Sequence, residues 1–227
     1  MESGTGPEAD RGTLRRRTLT TVGLIVATVV VVGVIAWVGT RSEGPVDAAS
    51  DWAGTVLGIE QAEPSVVLAD TAGQPFDLTT DTVRPLTLLM FGYTNCPDVC
   101  PISLGTLASA LRALPPDVSH KVQLVFVTAD PERDSGVVLR DYLDQFDTDF
   151  VGLVPTAEQL AEAQRLANVP PAVDEEPDED GSYAVGHATQ MIAYQGDGTA
   201  RIVYPFGTRE GDWMRDLPRL VAGERPS

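Results

Sequence analysis

Two continuous apolar runs mark the centre of the domain that this sequence encodes. Leu86–Tyr93 and Val122–Thr128 contain few polar positions, and such runs are typical of strands that are buried on both faces of a sheet. The first run leads into a helix that we expect to start around Pro97–Pro101, because proline is tolerated in the first helical turn. The helix should end before Pro115. Its apolar positions recur at helical spacing, at Leu104, Leu107, Ala108 and Leu111.

The remaining apolar patterns predict further strands and helices. One hairpin is expected before the first buried strand, and a second hairpin, with an Asp-Gly turn, near the C-terminus. An acidic run at Asp174–Gly181 is expected to be an exposed loop. The other predicted elements are strands at Ser65–Ala69, Phe76–Leu78, Phe150–Val154, Ala188–Tyr194 and Ala200–Pro205, and helices at Gly136–Phe146, Ala157–Ala167 and Trp213–Val221. This order predicts an α/β fold, with a thioredoxin-like mixed sheet flanked by helices.

One long apolar segment near the N-terminus stands apart from this pattern. No charged residue occurs from Thr18 to Thr40, and about 20 apolar residues suffice to cross a bilayer as a helix. Arginines precede the segment, and positive charge tends to stay on the cytoplasmic side. We therefore expect one N-terminal transmembrane helix in the cell membrane, with the N-terminus cytoplasmic and the folded domain on the extracytoplasmic side. A cleaved signal peptide, with a cleavage site at Val46–Ala48, is the alternative.

The expected organisation has five parts. They are a cytoplasmic tail at 1–18, a transmembrane anchor at 19–40, a linker at 41–63, the thioredoxin-like domain at 64–222 and a C-terminal tail at 223–227. The linker is predicted from its small residues and its weak periodicity.

The charge balance excludes one class of partner. The chain has 33 acidic and 16 basic residues and a net charge of −17 at pH 7. An acidic surface repels the phosphate backbone, so no nucleic acid is expected as a partner. Solubility is the simplest explanation of this negative charge. The alternative is that the charge attracts cations or a basic partner.

The only two cysteines, Cys96 and Cys100, lie four positions apart, directly after the first buried strand. A helix N-terminus stabilises a thiolate, and a rise of about 6 Å over four helical residues brings both side chains to one face. A structural disulfide, a redox-active pair and a site for a soft metal ion are all open. A disulfide across so short a loop stabilises the fold little. Common redox pairs have two intervening residues, whereas this pair has three.

A late histidine, His187, favours the metal. In a thioredoxin-like fold, the loop that carries it lies beside the start of the cysteine-bearing helix. Two thiolates and one imidazole suit copper, because soft sulfur selects Cu(I) and imidazole also accepts Cu(II). Structural zinc normally has a fourth ligand, and none is evident. The other histidine, His120, is expected in a solvated loop, and Met191 in the core.

A polar segment, Asp130–Asp134, follows the second buried strand. Its carboxylates are expected at the same sheet edge as Cys96, where they could dock a partner or bias a metal site. Asp130 followed by Pro131 also signals a turn or a helix start, and a capping role is the interpretation that we favour.

These pieces of sequence together resemble the Sco/SenC family. The resemblance is carried by Phe91–Pro101, which contains both cysteines, by Asp130–Asp134 and by His187, and it extends over about residues 64–222. It implies a membrane-anchored, thioredoxin-like protein that takes part in assembling cytochrome c oxidase.

The resemblance also implies a ligand set and a role. Copper would be bound by Cys96, Cys100 and His187, and would pass to the copper-bearing subunit of the oxidase or be exchanged with another copper chaperone. The implied role is that of a metallochaperone rather than an enzyme. One difference from the family pattern is Gly186-His187-Ala188 in place of Asp-His-Ser. It removes a carboxylate and a hydroxyl that could orient the imidazole.

The same cysteines support an alternative function from another class. A thiol–disulfide reductase would keep partner cysteines reduced, with one thiolate of the Cys96/Cys100 pair attacking a partner disulfide and the other resolving the mixed disulfide. This activity would need both cysteines but not His187. Nothing in the sequence points to an environment that promotes peroxide cleavage, so a peroxidase is not favoured. The sequence therefore predicts a copper-binding assembly factor, with thiol redox activity as the alternative.

Overall fold

Two buried strands form the centre of the fold, β4 (Leu86–Gly92) and β5 (Val122–Thr128). The computed structural model describes residues 51–177 and 183–226. The two strands pair in parallel along their whole length. Every residue of both strands is buried, as their apolar sequences predict for strands that are covered on both faces.

The main sheet is mixed, and eight of the described strands belong to it. The other six are β1 (Thr55–Ala62), β2 (Val67–Asp70), β3 (Pro75–Asp77), β6 (Val151–Val154), β9 (Met191–Gln195) and β10 (Thr199–Tyr204). The strands lie in the order β1-β10-β9-β4-β5-β6-β2-β3. β6 pairs with β5 in parallel, and the pairings outside β4–β5–β6 are antiparallel. Two short strands, β7 (Val173–Asp174) and β8 (Val185–Gly186), pair with each other outside this sheet.

Helices cover both faces of the sheet. The described helices are α1 (Val99–Ala113), α2 (Pro116–Ser119), α3 (Gly136–Leu143), α4 (Ala157–Leu166) and α5 (Glu210–Val221). Side chains of β4 alternate between two hydrophobic clusters. Leu88 and Met90 belong to the cluster that contains α1, α3 and α5, whereas Leu89 and Phe91 belong to the cluster that contains α4. The period of two along the strand therefore explains why this segment is apolar at consecutive positions.

The predicted mixed α/β sheet with flanking helices is confirmed. The buried strands, the cysteine-bearing helix and the C-terminal hairpin form close to the expected positions. Pro101 lies in the first turn of α1, where its missing N–H costs no helical hydrogen bond. The helix ends at Ala113, before Pro115.

The structure differs from the expected linker at 41–63. β1 lies inside this range and pairs antiparallel with β10, and Trp52, which precedes β1, is buried. The register shifts between Val56 and Gln61. An irregularity of this kind interrupts the alternation by which a strand is recognised in a sequence. The folded domain therefore begins earlier than the sequence predicts.

Other expectations concern residues that the structure does not describe. The predicted cytoplasmic tail (1–18) and transmembrane anchor (19–40) lie outside the described residues, as does part of the predicted acidic loop. Of the helices in the described ranges, none combines the length and the apolar character that crossing a membrane requires.

A carboxyl group near the end of β1 couples folding to pH. The Oε1 atom of Glu63 is buried and has no hydrogen-bond partner within the described ranges. Burial raises the pKa of Glu63 from 4.5 to about 7, and the negative charge of Asp77 adds to the shift. The folded-state pKa lies above the unfolded value, so the folded protein binds this proton more tightly. The contribution of the proton to the free energy of unfolding is fully present below pH 4.5 and is lost as the pH rises through about 7.

We expect Glu63→Gln to raise the melting temperature by a few degrees at pH 8 and to change it little at pH 5. Glutamine keeps the neutral side chain at both pH values, so the cost of ionising a buried carboxyl disappears. Thermal denaturation followed by circular dichroism measures this, with the exposed Glu176→Gln as the control. A shift of equal size at both pH values would contradict the assignment.

Candidate metal centre

The two cysteines lie where β4 ends and α1 begins. The backbone N–H of Cys96 donates to the Tyr93 carbonyl oxygen at 3.2 Å, which forms a turn after the strand. Cys100 lies in the first turn of α1 and is fully buried. Gly92 makes this approach possible, because a Cβ atom there would lie 2.6 Å from the Cys100 Sγ. Sequence and packing therefore place both sulfurs at the N-terminus of α1, as predicted.

His187 approaches the sulfurs from another part of the chain. It follows β8, and its Nε2 atom lies 3.8 Å from the Cys100 Sγ. Its Nδ1 atom lies 2.8 Å from the Ala188 carbonyl oxygen. Because a carbonyl oxygen only accepts hydrogen bonds, Nδ1 carries the proton and Nε2 presents a lone pair to the thiols. The Tyr93 ring meets the imidazole edge-on, with 5.5 Å between the ring centroids.

The structure brings the three predicted site residues together. The candidate ligand atoms of Cys96, Cys100 and His187 all lie within 4.8 Å of one another. Both cysteines are free thiols and are buried, whereas His187 is half-buried. The arrangement can hold one soft metal ion, or it can form a disulfide between the two sulfurs.

The two thiols are electrostatically unequal. The pKa of Cys96 is lowered, chiefly by a hydrogen bond from the Cys100 thiol, with a further bond from the Cys100 backbone N–H. The pKa of Cys100 is raised by the same thiol–thiol hydrogen bond, by burial and by the charge of Cys96. Cys96 is therefore the thiolate of the reduced pair, and Cys100 is the thiol that donates to it.

A buried carboxylate fixes the loop that carries Cys96. Asp134 accepts hydrogen bonds from the Thr94 N–H at 3.0 Å, the Thr94 hydroxyl at 2.5 Å and the Thr128 hydroxyl at 2.6 Å.

Asp134 is fully buried and Asp130 is 3% exposed. These two carboxylates therefore do not form the surface for docking a partner that the sequence suggested.

The predicted capping role of Asp130 is also modified by the structure. The Asp130 carbonyl oxygen accepts from the Asp134 N–H at 2.9 Å, so this residue opens a turn. The cap of α3 is Ser135, whose hydroxyl accepts from the Val138 N–H at 3.3 Å.

Three aromatic and basic residues beside the ligands were not predicted. Arg133 lies 5.8 Å from the Tyr93 ring centroid and 3.6 Å from the Tyr183 ring centroid. Tyr93 lies three residues before Cys96, and this proximity in the sequence could have identified it as a neighbour of the site. Tyr183 and Arg133 are 50 positions apart in the chain, and no sequence pattern connects them.

The two other residues considered from the sequence lie away from the ligands. His120 is exposed at the end of α2, just before β5, whereas the cysteines follow the opposite end of the parallel strand β4. Met191 is 3% exposed and pairs with Met90. Both expectations, a solvated His120 and a core Met191, are confirmed.

Comparison with known proteins gives a family match and several relatives. The SCO1/SenC family model matches residues 60–222. A putative copper-binding protein of Stutzerimonas stutzeri is 33% identical over 169 residues, covering 73% of this chain and 80% of the relative. The mitochondrial protein SCO1 homolog of Homo sapiens is 32% identical over 157 residues, covering 62% of this chain and 50% of the human protein.

Solved structures give a consistent match. The apo Sco1 protein of Thermus thermophilus superposes with a TM-score of 0.67 at 30% identity, covering 77% of this chain and 99% of that one. The Bradyrhizobium japonicum ScoI structure with copper bound superposes with a TM-score of 0.60 at 33% identity, covering 70% of this chain and 99% of that one.

The unequal thiols predict unequal reactivity. In the reduced, metal-free protein we expect iodoacetamide to alkylate Cys96 at pH 6, where an ordinary thiol with a pKa of about 8.5 is almost fully protonated. Cys100 should stay unmodified, because it is fully buried while Cys96 is 8% exposed, and because the pKa of Cys100 is raised. Peptide mass spectrometry after timed alkylation identifies the modified residue. Faster alkylation of Cys100, or no reaction of either thiol at pH 6, would contradict this assignment.

Proposed function

The chain belongs to the SCO1/SenC family, and we propose that its domain binds copper through Cys96, Cys100 and His187 and delivers it during assembly of cytochrome c oxidase. One observation carries the proposal: the two sulfur atoms and an imidazole nitrogen lie within 4.8 Å of one another. The donor set fits copper, because soft sulfur ligands select Cu(I) and an imidazole is accepted by both Cu(I) and Cu(II).

Each ligand residue has a separate task. Cys96 supplies a thiolate in the reduced protein, since its pKa is lowered. Cys100 loses its proton when it binds, because a thiolate and not a thiol is the metal ligand. His187 offers Nε2 while its Nδ1–H donates to the Ala188 carbonyl oxygen, which sets the tautomer that binding needs. Bound copper would be the soft, redox-active ion that this site carries.

Unequal exposure gives a route for release. His187 is half-buried while both cysteines are buried, so an incoming donor group reaches the copper from the imidazole side. The ligands of a copper-bearing oxidase subunit, or of another copper chaperone, then replace those of this site one at a time. The proposed role is that of a metallochaperone, not an enzyme.

The proposed location follows from the N-terminal sequence. The uncharged segment within 19–40 is long enough to serve as a single transmembrane anchor. Positive charge before it favours a cytoplasmic N-terminus and a domain on the extracytoplasmic side. The domain would then face its oxidase partner at the membrane surface.

A second candidate function is favoured by the thiol asymmetry. The Cys96 thiolate can attack a partner disulfide and release one partner thiolate, after which the Cys100 thiolate attacks the Cys96 sulfur and releases the second. The partner gains two electrons, the Cys96/Cys100 pair becomes a disulfide, and a dithiol donor must reduce it again. Because a disulfide removes both thiolates, the same oxidation abolishes copper binding.

We expect the reduced chain to bind one Cu(I) tightly in titrations against a competing Cu(I) chelator. Cys96→Ser/Cys100→Ser should abolish binding, and His187→Ala should weaken it about a hundredfold, equal to about 2.8 kcal/mol. His120→Ala is the matched control, because this exposed histidine lies away from the ligands.

Oxidised protein should take up no Cu(I) in the same assay. Weak binding by the reduced wild type, or binding indifferent to His187→Ala, would count against the copper site. If the pair still reduced a partner disulfide in that case, the second candidate function would be favoured.

A further inference from the structure

A polar cluster lies beside the ligand group and supplies none of its three ligand atoms. It consists of Arg133, Asp130 and Tyr183, and we call it the Arg133 clamp. The Arg133 guanidinium lies over the Tyr183 ring, 3.6 Å from Cζ to the ring centroid. Its Nη1 donates to the Tyr183 carbonyl oxygen at 3.0 Å, and its Nε pairs with Asp130. Asp130 also accepts the Tyr183 hydroxyl at 3.3 Å. Tyr183 is therefore held through its ring, its hydroxyl and its backbone.

The clamp is partly shielded from solvent, and its carboxylate is buried. The side chains of Arg133 and Asp130 are 24% and 2% exposed. A charged pair in this setting is screened less than a surface pair, and a guanidinium over an aromatic ring adds a further attraction. These contacts therefore hold Tyr183, from which the chain continues to His187.

That segment leads directly to His187, with the buried Val185 between them. Tyr183 precedes His187 by four residues. Between them, β8 pairs with β7 through two residue pairs, and the Glu175 N–H donates to the Ala184 carbonyl oxygen at 2.8 Å. The neighbours of His187 in the chain, a glycine and an alanine, have no polar side chain to orient the imidazole. Apart from the Ala188 carbonyl oxygen, the contacts that orient the imidazole come from other parts of the chain, such as the Tyr93 ring.

The turn that carries the clamp also holds the cysteine loop. Asp134, next to Arg133, binds Thr94 through two hydrogen bonds. Arg133 lies near the Tyr93 ring, which in turn contacts His187. One turn thus contacts both halves of the ligand set, the cysteine loop through Asp134 and the histidine segment through Arg133.

We propose that the Arg133 clamp positions His187 for copper: by holding Tyr183, it sets the distance between the imidazole and the two thiols before the metal arrives. This inference rests on the proposed copper function. Without the clamp, the segment that carries His187 would have to be ordered on binding, which lowers affinity. Arg133 is therefore a positioning residue that acts through the third ligand and not through the sulfurs.

The first experiment compares Cu(I) affinity in the reduced, full-length chain with and without the clamp. Arg133→Ala should weaken Cu(I) binding about tenfold, the lower range for groups that orient a metal-binding histidine. Arg140→Ala is the matched control: Arg140 is similarly exposed at 29%, forms an ion pair with Asp144 and donates to the Phe150 carbonyl oxygen. It should leave the affinity unchanged. Equal affinity in Arg133→Ala and wild type would overturn the proposal.

A double-variant comparison separates positioning from general stability. In the His187→Ala background, Arg133→Ala should cause no further loss of Cu(I) affinity, because the ligand on which the clamp acts is absent. A further tenfold loss in that background would overturn the proposal, since the clamp would then act on the thiols or on the fold as a whole.

Graded variants test the contacts themselves. Tyr183→Phe keeps the ring under the guanidinium and should retain most of the affinity, whereas Tyr183→Ala should match Arg133→Ala. If Arg133→Ala does not fold, Tyr183→Ala breaks the clamp from the other side. Full affinity in Tyr183→Ala would overturn the proposal.

A measurement on the metal-free protein tests, independently of copper, whether the clamp orders the His187 segment. Hydrogen exchange should become about tenfold faster for the backbone amides of residues 184–188 in Arg133→Ala, and should not change in Arg140→Ala. Unchanged exchange in Arg133→Ala would overturn the proposal. A wild-type chain without copper affinity would refute the proposed function, and the exchange result would still show whether the clamp orders the His187 segment.

Discussion

The pairing of β4 with two different neighbours determines where the ligands lie. β4 runs parallel to β5 and antiparallel to β9. Because parallel strands end at the same edge, the cysteine loop after β4 and the turn at 130–134 after β5 meet there. Because β9 runs the other way, the chain enters it from that edge, and His187 lies in the connection that enters β9. One arrangement of three strands thus brings together residues that are 87 positions apart in the chain.

The chemistry of the site depends on an inequality between two neighbouring thiols. Cys96 accepts hydrogen bonds from the Cys100 thiol and backbone, whereas Cys100 is buried against the core. The negative charge of the pair is therefore concentrated on Cys96. The same inequality would serve the proposed copper site and the alternative disulfide exchange. The two differ in His187, which only the copper site would need. Contacts that position His187 would therefore favour copper binding over thiol–disulfide exchange. The Arg133 clamp is proposed to make such contacts.

The sequence predicted the parts of the site that are local or carry a strong pattern. The apolar runs identified β4 and β5, and the two cysteines after β4 identified the start of α1. β1 was missed, because the register shift between Val56 and Gln61 breaks its alternation. The contacts of Arg133 with Tyr183 were also missed. They join residues from different loops, and only the tertiary fold brings such residues together. The departure from the family pattern beside His187 gave a partial signal, since Gly186 and Ala188 have no polar side chain to orient the imidazole.

X-ray absorption spectroscopy at the copper edge of the reduced, Cu(I)-loaded chain tests the three-ligand site. We expect two sulfur scatterers and one nitrogen scatterer, with the nitrogen lost in His187→Ala and both sulfurs lost in Cys96→Ser/Cys100→Ser. Copper coordinated by sulfur alone in the wild type, or by a nitrogen that persists in His187→Ala, would contradict the assignment of His187 as the third ligand.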